Sequence, residues 1–228
     1  MSALPRSDLR LRVASAAVGL PLLFLVLWIG GLVFAAVAVV AALIALREML
    51  DLLRRARTLR GGGSVLLDGV AALVGVAYVV LPFAALISLR LHDDAGLQWT
   101  ALAFLVTFAT DTSAYAVGRA VGHRKLAPSI SPGKTWEGAI GGLVGAAAAA
   151  AALVALFDGI ESRLLPAVAL GLGIGVVAQA GDLLESKVKR MADVKDSGRL
   201  IPGHGGLFDR LDSLLPVFPL VYYASWVW

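Results

Sequence analysis

The chain contains no cysteine and only three histidines, His92, His123 and His204, among its 228 residues. The first absence excludes disulfides, zinc–thiolate centres and cysteine nucleophiles. The histidines are scattered, with no HExxH or paired spacing, so a zinc centre has no ligand set in the sequence. Charge is scarce as well. Asp, Glu, Lys and Arg make up 16% of the residues, where ordinary soluble domains carry about 25%. What fills the chain instead is apolar: 59% hydrophobic residues and a mean hydropathy of +0.84. An ordinary soluble domain is thereby excluded, and several membrane-spanning helices in one bundle are indicated.

Apolar runs at 13–29, 32–46, 65–89, 97–117, 139–157, 164–180 and 217–228 predict about seven spans, the last beginning near Leu211. The first run is long for a signal-peptide core and a second follows at once, so both are read as spans, with no cleaved signal. Pro82 predicts a kink in the third span. Residues 47–63 read as a basic loop holding Arg54, Arg55, Arg57 and Arg60 and closed by glycines, and His92-Asp93-Asp94 as a short acidic loop. The glycines in the spans at 139–157 and 164–180 are packing residues that let helix backbones approach in lipid. Trp226 and Trp228 suit the far interface.

The cations test that arrangement. With the N-terminus inside, segments 1–12, 47–63, 119–136 and 182–210 hold 18 of the 20 Lys and Arg residues, leaving only Arg90 and Arg163 outside. Such a bias orients the N-terminus and the polar loops to the cytoplasm. It also accounts for the cations without a nucleic-acid partner. The arginines at 6, 10 and 12 and the cluster around Arg54 set topology and attract anionic lipid.

The longest polar run, 182–212, breaks the apolar pattern. It carries six Lys or Arg, several carboxylates, His204 and a Gly203-His204-Gly205-Gly206 loop. At about 100° per residue, Asp182, Glu185, Ser186, Lys189 and Asp193 share one helical face, opposite Leu184, Val188 and Met191. Pro202 and the glycines then force a turn. Asp209 and Asp212 share the face of the next helix. Asp182 and Asp209 thus stand at matched depth where apolar helices meet the loop, and two such carboxylates can ligate one or two Mg2+ ions. A solvated ion-pair network is the plainer reading of the same residues. Asp111, within the fourth span, is a further site candidate because an ionisable residue there is costly. Ser131-Pro132-Gly133-Lys134-Thr135 ends like a phosphate-binding P-loop, but Pro128 stands where the first glycine belongs and no strand is expected before it.

Ser186-x-Val188-Lys189-Arg190, Lys195-Asp196 and Pro202-x-His204-Gly205-Gly206-Leu207-x-Asp209-Arg210-Leu211-Asp212 resemble the signature of the phosphatidate cytidylyltransferase (CDP-diacylglycerol synthase) family over 27 residues. Asp111-x-x-Ala114-Tyr115-x-x-Gly118 and the run from Ser131 to Gly138 resemble it too, so the likeness covers roughly the C-terminal half. The apolar runs give one all-α integral membrane domain over 1–228, with N-terminal helices at 13–89, and the resemblance implies a catalytic half at 97–228 with a polar cleft on the cytoplasmic side. Relative to larger family members the chain looks shortened at its N-terminal side.

The implied reaction joins CTP and phosphatidic acid to give CDP-diacylglycerol and pyrophosphate at the inner membrane. Its cofactor is Mg2+, with a second metal ion or K+ as a further candidate. Asp182 and Asp209 are the implied metal ligands, and with Lys189 the catalytic set. Lys189 and Arg190 would neutralise phosphate. Ser186 and His204 would hydrogen-bond phosphate or metal-bound water, and Gly205 would allow backbone approach to the nucleotide. Asp212 is an orienter or a further ligand, and Lys134 a phosphate contact or an interfacial lysine that reaches water. A homodimer is a further expectation. Two other classes remain at this stage: a different lipid-phosphate enzyme using CTP, and a small transporter with Asp111 and Asp182 as ion ligands.

Overall fold

A computed structural model describes residues 6–62, 64–92, 95–161, 163–201 and 203–228, without the side chains of 6–14 and 16. The side chains of the arginines at 6, 10 and 12, the Asp93-Asp94 pair and the turn at Pro202 therefore lie outside the described residues.

Helices dominate: α1 (Arg6–Ile29), α2 (Gly31–Leu59), α3 (Val65–Leu91), α4 (Gly96–Val121), α5 (Trp136–Leu156), α6 (Leu164–Met191), α7 (Phe208–Leu211) and α8 (Val217–Val227). Of the described helices, α2 to α6 are long and apolar enough to cross a bilayer, while the apolar parts of α1 and α8 are shorter. The chain is a polytopic membrane protein. Large apolar side chains such as Leu32, Leu43, Leu67, Leu73 and Ile140 lie exposed on these helices, as a lipid-facing surface requires.

Several sequence expectations change. Residues 47–59 are helix, not loop: α2 continues because Met49, Leu52 and Ala56 recur at helical spacing and are buried, while Arg54 and Arg57 occupy the exposed side. The polar stretch begins inside α6, one continuous helix of 28 residues, about 40 Å long and so longer than the ~30 Å hydrocarbon layer. The last helix does not run on from Leu211, because turns separate α7 from α8 and Pro216 directly precedes Val217. Pro82 sits within α3 as expected.

Small residues decide how the second half packs. A Cβ on Gly142 of α5 would meet Ala114 Cβ at 3.0 Å and Thr110 O at 3.1 Å on α4. A Cβ on Gly171 of α6 would stand 2.6 Å from Ala146 O and 2.8 Å from Ala147 Cα on α5. Backbones this close hold α4, α5 and α6 in register. Between α4 and α5 the chain forms an antiparallel hairpin, β1 (Lys125–Ala127) and β2 (Ser131–Thr135), pairing Lys125 with Thr135 and Ala127 with Ser131. A strand does precede the Lys134 segment, contrary to expectation, but it is this hairpin's and not the parallel strand of a P-loop. Glu137 closes the hairpin by accepting hydrogen bonds from the His123 and Arg124 amides, and Thr135 Oγ1 caps α5 by accepting from the Gly138 amide at 3.1 Å.

Candidate active site

The tight packing of α4, α5 and α6 brings Asp111, Lys134 and Asp182 to one cavity of about 390 Å3, also lined by Arg119, Ser131 and Gln179. Lys134 Nζ lies 2.5 Å from Asp182 Oδ2, with both side chains about a quarter exposed. The Asp182 carboxylate can engage one proton of this ammonium, which carries three donors. Ser186 Oγ donates to Asp182 Oδ1 at 3.3 Å, one turn along α6.

A second, drier cluster lies one turn further on. Lys189 Nζ sits 2.6 Å from Glu185 Oε2 and 2.8 Å from Asp209 Oδ1. Glu185 is fully buried, and its two oxygens receive no well-aligned hydrogen bond. Asp209 Oδ2 accepts from the Ser197 amide at 2.8 Å, the Ser197 hydroxyl at 3.0 Å and the Gly206 amide at 2.8 Å. Burial pushes the Asp209 carboxyl upward in pKa, but the hydrogen bonds it accepts from Lys189 and Gly206, with the Lys189 charge, outweigh it and hold the group below its ordinary value. Asp209 is thus a fixed anion. Gly205 makes the approach: its φ is +84°, and a Cβ there would meet Asp209 Oδ2 at 2.6 Å.

The helical face expected from 182 to 193 forms over Asp182, Glu185, Ser186 and Lys189. Asp193 leaves it, because α6 ends at Met191 and Asp193 turns away at φ 52°. Leu184 of the opposite side is exposed, while Val188 and Met191 pack on the core. Arg190 reaches the hairpin turn, its Nε donating to Ile130 O at 3.4 Å. His204 Nδ1 lies 2.7 Å from Ser15 Oγ of α1. Asp182 and Asp209 share no hydrogen bond or ion pair among the described residues, since each is held by a different lysine.

Asp212 faces the same region. Its Oδ1 accepts from the Ser213 amide at 2.7 Å. Burial and the charges of Asp182 and Asp111 push its carboxyl from an ordinary 3.8 up to about 7. The folded state therefore keeps a proton that the unfolded chain releases, and stability falls as pH rises from about 4 to about 7. Asp212→Asn is expected to lose less melting temperature than the wild type between pH 5 and pH 8 in detergent. Equal losses would refute this assignment.

Two residues escaped the sequence reading. Glu48, on the part of α2 read as loop, accepts from the Leu207 amide at 3.2 Å, the Phe208 amide at 2.8 Å and the Ser197 hydroxyl at 2.9 Å. Ser197 itself lies between the quoted motif segments. No local signal marks either, since their partnership spans 149 residues.

Residues 58–228 match the model of the cytidylyltransferase family. The chain is 43% identical over 149 residues to a phosphatidate cytidylyltransferase of Bacillus subtilis (strain 168), covering 64% of this chain and 54% of that protein. It is 46% identical over 142 residues to one of Brucella abortus biovar 1 (strain 9-941), covering 61% and 52%. A third, from Staphylococcus saprophyticus, is 41% identical over 155 residues, covering 68% and 58%. The chain spans about half the length of the curated relatives it matches. The matched region holds the cavity, the Lys189 cluster and Asp212, and on that match the chain belongs to the cytidylyltransferase family.

Proposed function

We propose that this protein transfers CMP from CTP to phosphatidic acid, giving CDP-diacylglycerol and pyrophosphate in phospholipid biosynthesis, from the cytoplasmic side of the inner membrane. The observation that carries the reading is Lys134, whose ammonium pairs with Asp182 in the wall of a cavity they share, within a family of cytidylyltransferases.

A lipid phosphate oxygen attacks the α-phosphorus of CTP, and the bond from that phosphorus to the bridging oxygen breaks as pyrophosphate leaves. Both reactants are anions, so catalysis rests on positioning and charge neutralisation. No protein nucleophile is needed. Lys134 donates to phosphate oxygens entering the cavity, exchanging its contact with Asp182 for them. Arg119, on the same wall, offers a planar fork to the same charge. Lys189 stays with Glu185 and Asp209 and fixes the base of the site.

The carboxylates fit Mg2+. No three His, Asp or Glu side chains among the described residues converge to hold a metal alone, and Mg2+ typically takes one or two carboxylates with water and substrate phosphate. Asp182 and Asp209 would hold it. Asp182 stands in the cavity wall, and Asp209 Oδ1, which accepts from Lys189 among the described residues, retains a lone pair. The chemistry such an ion supplies is neutralisation of phosphate charge.

Purified protein with Mg2+, phosphatidic acid and α-labelled CTP is expected to place label in lipid, and EDTA to abolish it. Label entering a different lipid phosphate, with none in phosphatidic acid, would replace the acceptor. Folded protein labelling no lipid phosphate would overturn the proposal.

A further inference from the structure

The chemistry of the site lies within 58–228, but one of its supports does not. Glu48 is on α2, outside the region that matches the family model. Its carboxylate is half-buried and takes the amides of Leu207 and Phe208 from the far end of the chain, and it competes with Asp209 for the one proton of the Ser197 hydroxyl. The next amide back, Gly206, goes to Asp209, as does the amide of Ser197, whose hydroxyl lies within hydrogen-bond distance of both carboxylates. Three consecutive amides and one serine are therefore divided between two carboxylates, one from each half of the molecule. The backbone fits itself to Glu48: a Cβ on Gly198 would meet Glu48 Oε1 at 2.5 Å, and one on Gly206 would collide with Glu48 Oε2 and Ser197 Oγ.

We infer that Glu48 is a positioning residue, an anionic post on which the 197–208 loop folds so that Ser197 and Gly206 hold Asp209 against Lys189. The inference rests on the proposed transfer reaction for its kinetic readout, though not for its structural one. The charge matters as well as the shape. Both Glu48 oxygens accept, so a Gln side chain would turn an NH2 group toward either the Leu207 amide or the donors of Phe208 and Ser197, setting donor against donor. Hydrogen bonds to a charged acceptor are also about twice as strong as neutral ones. Among the described residues Glu48 shares no hydrogen bond or ion pair with the cavity lining or Lys134, so its loss acts through Asp209 and not through direct contact with substrate.

The test compares wild type, Glu48→Gln, Glu48→Asp and Ser197→Ala as full chains in detergent. Hydrogen–deuterium exchange over 197–209 is read beside melting temperature and labelled-CMP transfer. The expected result for Glu48→Gln is exchange faster by tenfold or more confined to 197–209, and kcat down by tenfold or more with KM for CTP changed less than threefold. Glu48→Asp, which keeps the charge with a shorter reach, recovers part of both. Unchanged exchange in that loop overturns the inference, as does faster exchange spread evenly over the chain, which marks a general packing role. Should Glu48→Gln fail to fold, Ser197→Ala carries the test, because it removes the hydroxyl between the two carboxylates; wild-type exchange and kcat in that variant overturn the inference. A wild type that transfers no CMP refutes the proposed reaction and leaves the exchange result to decide the role of Glu48.

Discussion

Lys189→Met is expected to be the most damaging single substitution in the chain. It removes the cation that stands between Glu185, which is fully buried, and Asp209, whose side chain is 1% exposed. Methionine fills similar space, so the loss is electrostatic. Breaking a buried pair by removing one partner costs about 3–5 kcal/mol, and here Asp209 loses its lysine beside a fully buried Glu185. A domain held by roughly 5–15 kcal/mol loses much of its margin on that change. The expected outcome is a steep drop in recovered folded protein and no measurable transfer from what remains. Size-exclusion chromatography and melting in detergent check it. The double variant Lys189→Met, Glu185→Gln separates folding from function. Asp209 then keeps the Ser197 and Gly206 donors and has no opposing carboxylate, so stability recovers in part while transfer does not. Full stability of the single variant would show that Glu185 takes up a proton at no cost.

The cluster behind this prediction was half legible in the sequence. Helical period alone puts Asp182, Glu185, Ser186 and Lys189 on one face, and the structure has them there. The same period extended to Asp193 fails, because α6 stops at Met191. Which lysine meets which carboxylate was not legible. Asp182 and Asp209 look equivalent as the last charges before apolar runs, yet one pairs with Lys134 of the hairpin and the other with Lys189 of α6. That choice is made by the close backbones of α4, α5 and α6, and a pattern of glycines says that helices approach without saying where. The hairpin was missed for a related reason. Strands of three and five residues are too short to show alternation, and their order comes from Glu137 and Thr135 holding the ends. Glu48 was missed because arginines outnumber it locally. A charge count describes the exposed face of α2 and passes over the one acidic residue that reaches the loop.

Asp182→Asn is expected to abolish activity while leaving the fold intact, the opposite balance to Lys189→Met. Asp182 is 29% exposed at the cavity wall, and its partner Lys134 is 24% exposed, so an uncharged side chain leaves no buried anion stranded and water can reach the freed lysine. Melting temperature should move little, since partly exposed ion pairs contribute at most about 1 kcal/mol. Catalysis should suffer far more. Removing one preorganised electrostatic contributor costs roughly 10²–10³-fold in kcat, and here the group lost is also a proposed Mg2+ ligand. The Mg2+ concentration needed for half-maximal transfer should rise in step with the loss. Ser186→Ala is the control, because its hydroxyl touches Asp182 Oδ1 at 3.3 Å and orients the carboxylate without supplying charge; a loss below tenfold is expected. If Asp182→Asn kept an unchanged Mg2+ requirement while losing activity, Asp182 would be acting through Lys134 alone, as the anion that holds the ammonium ready until phosphate displaces it.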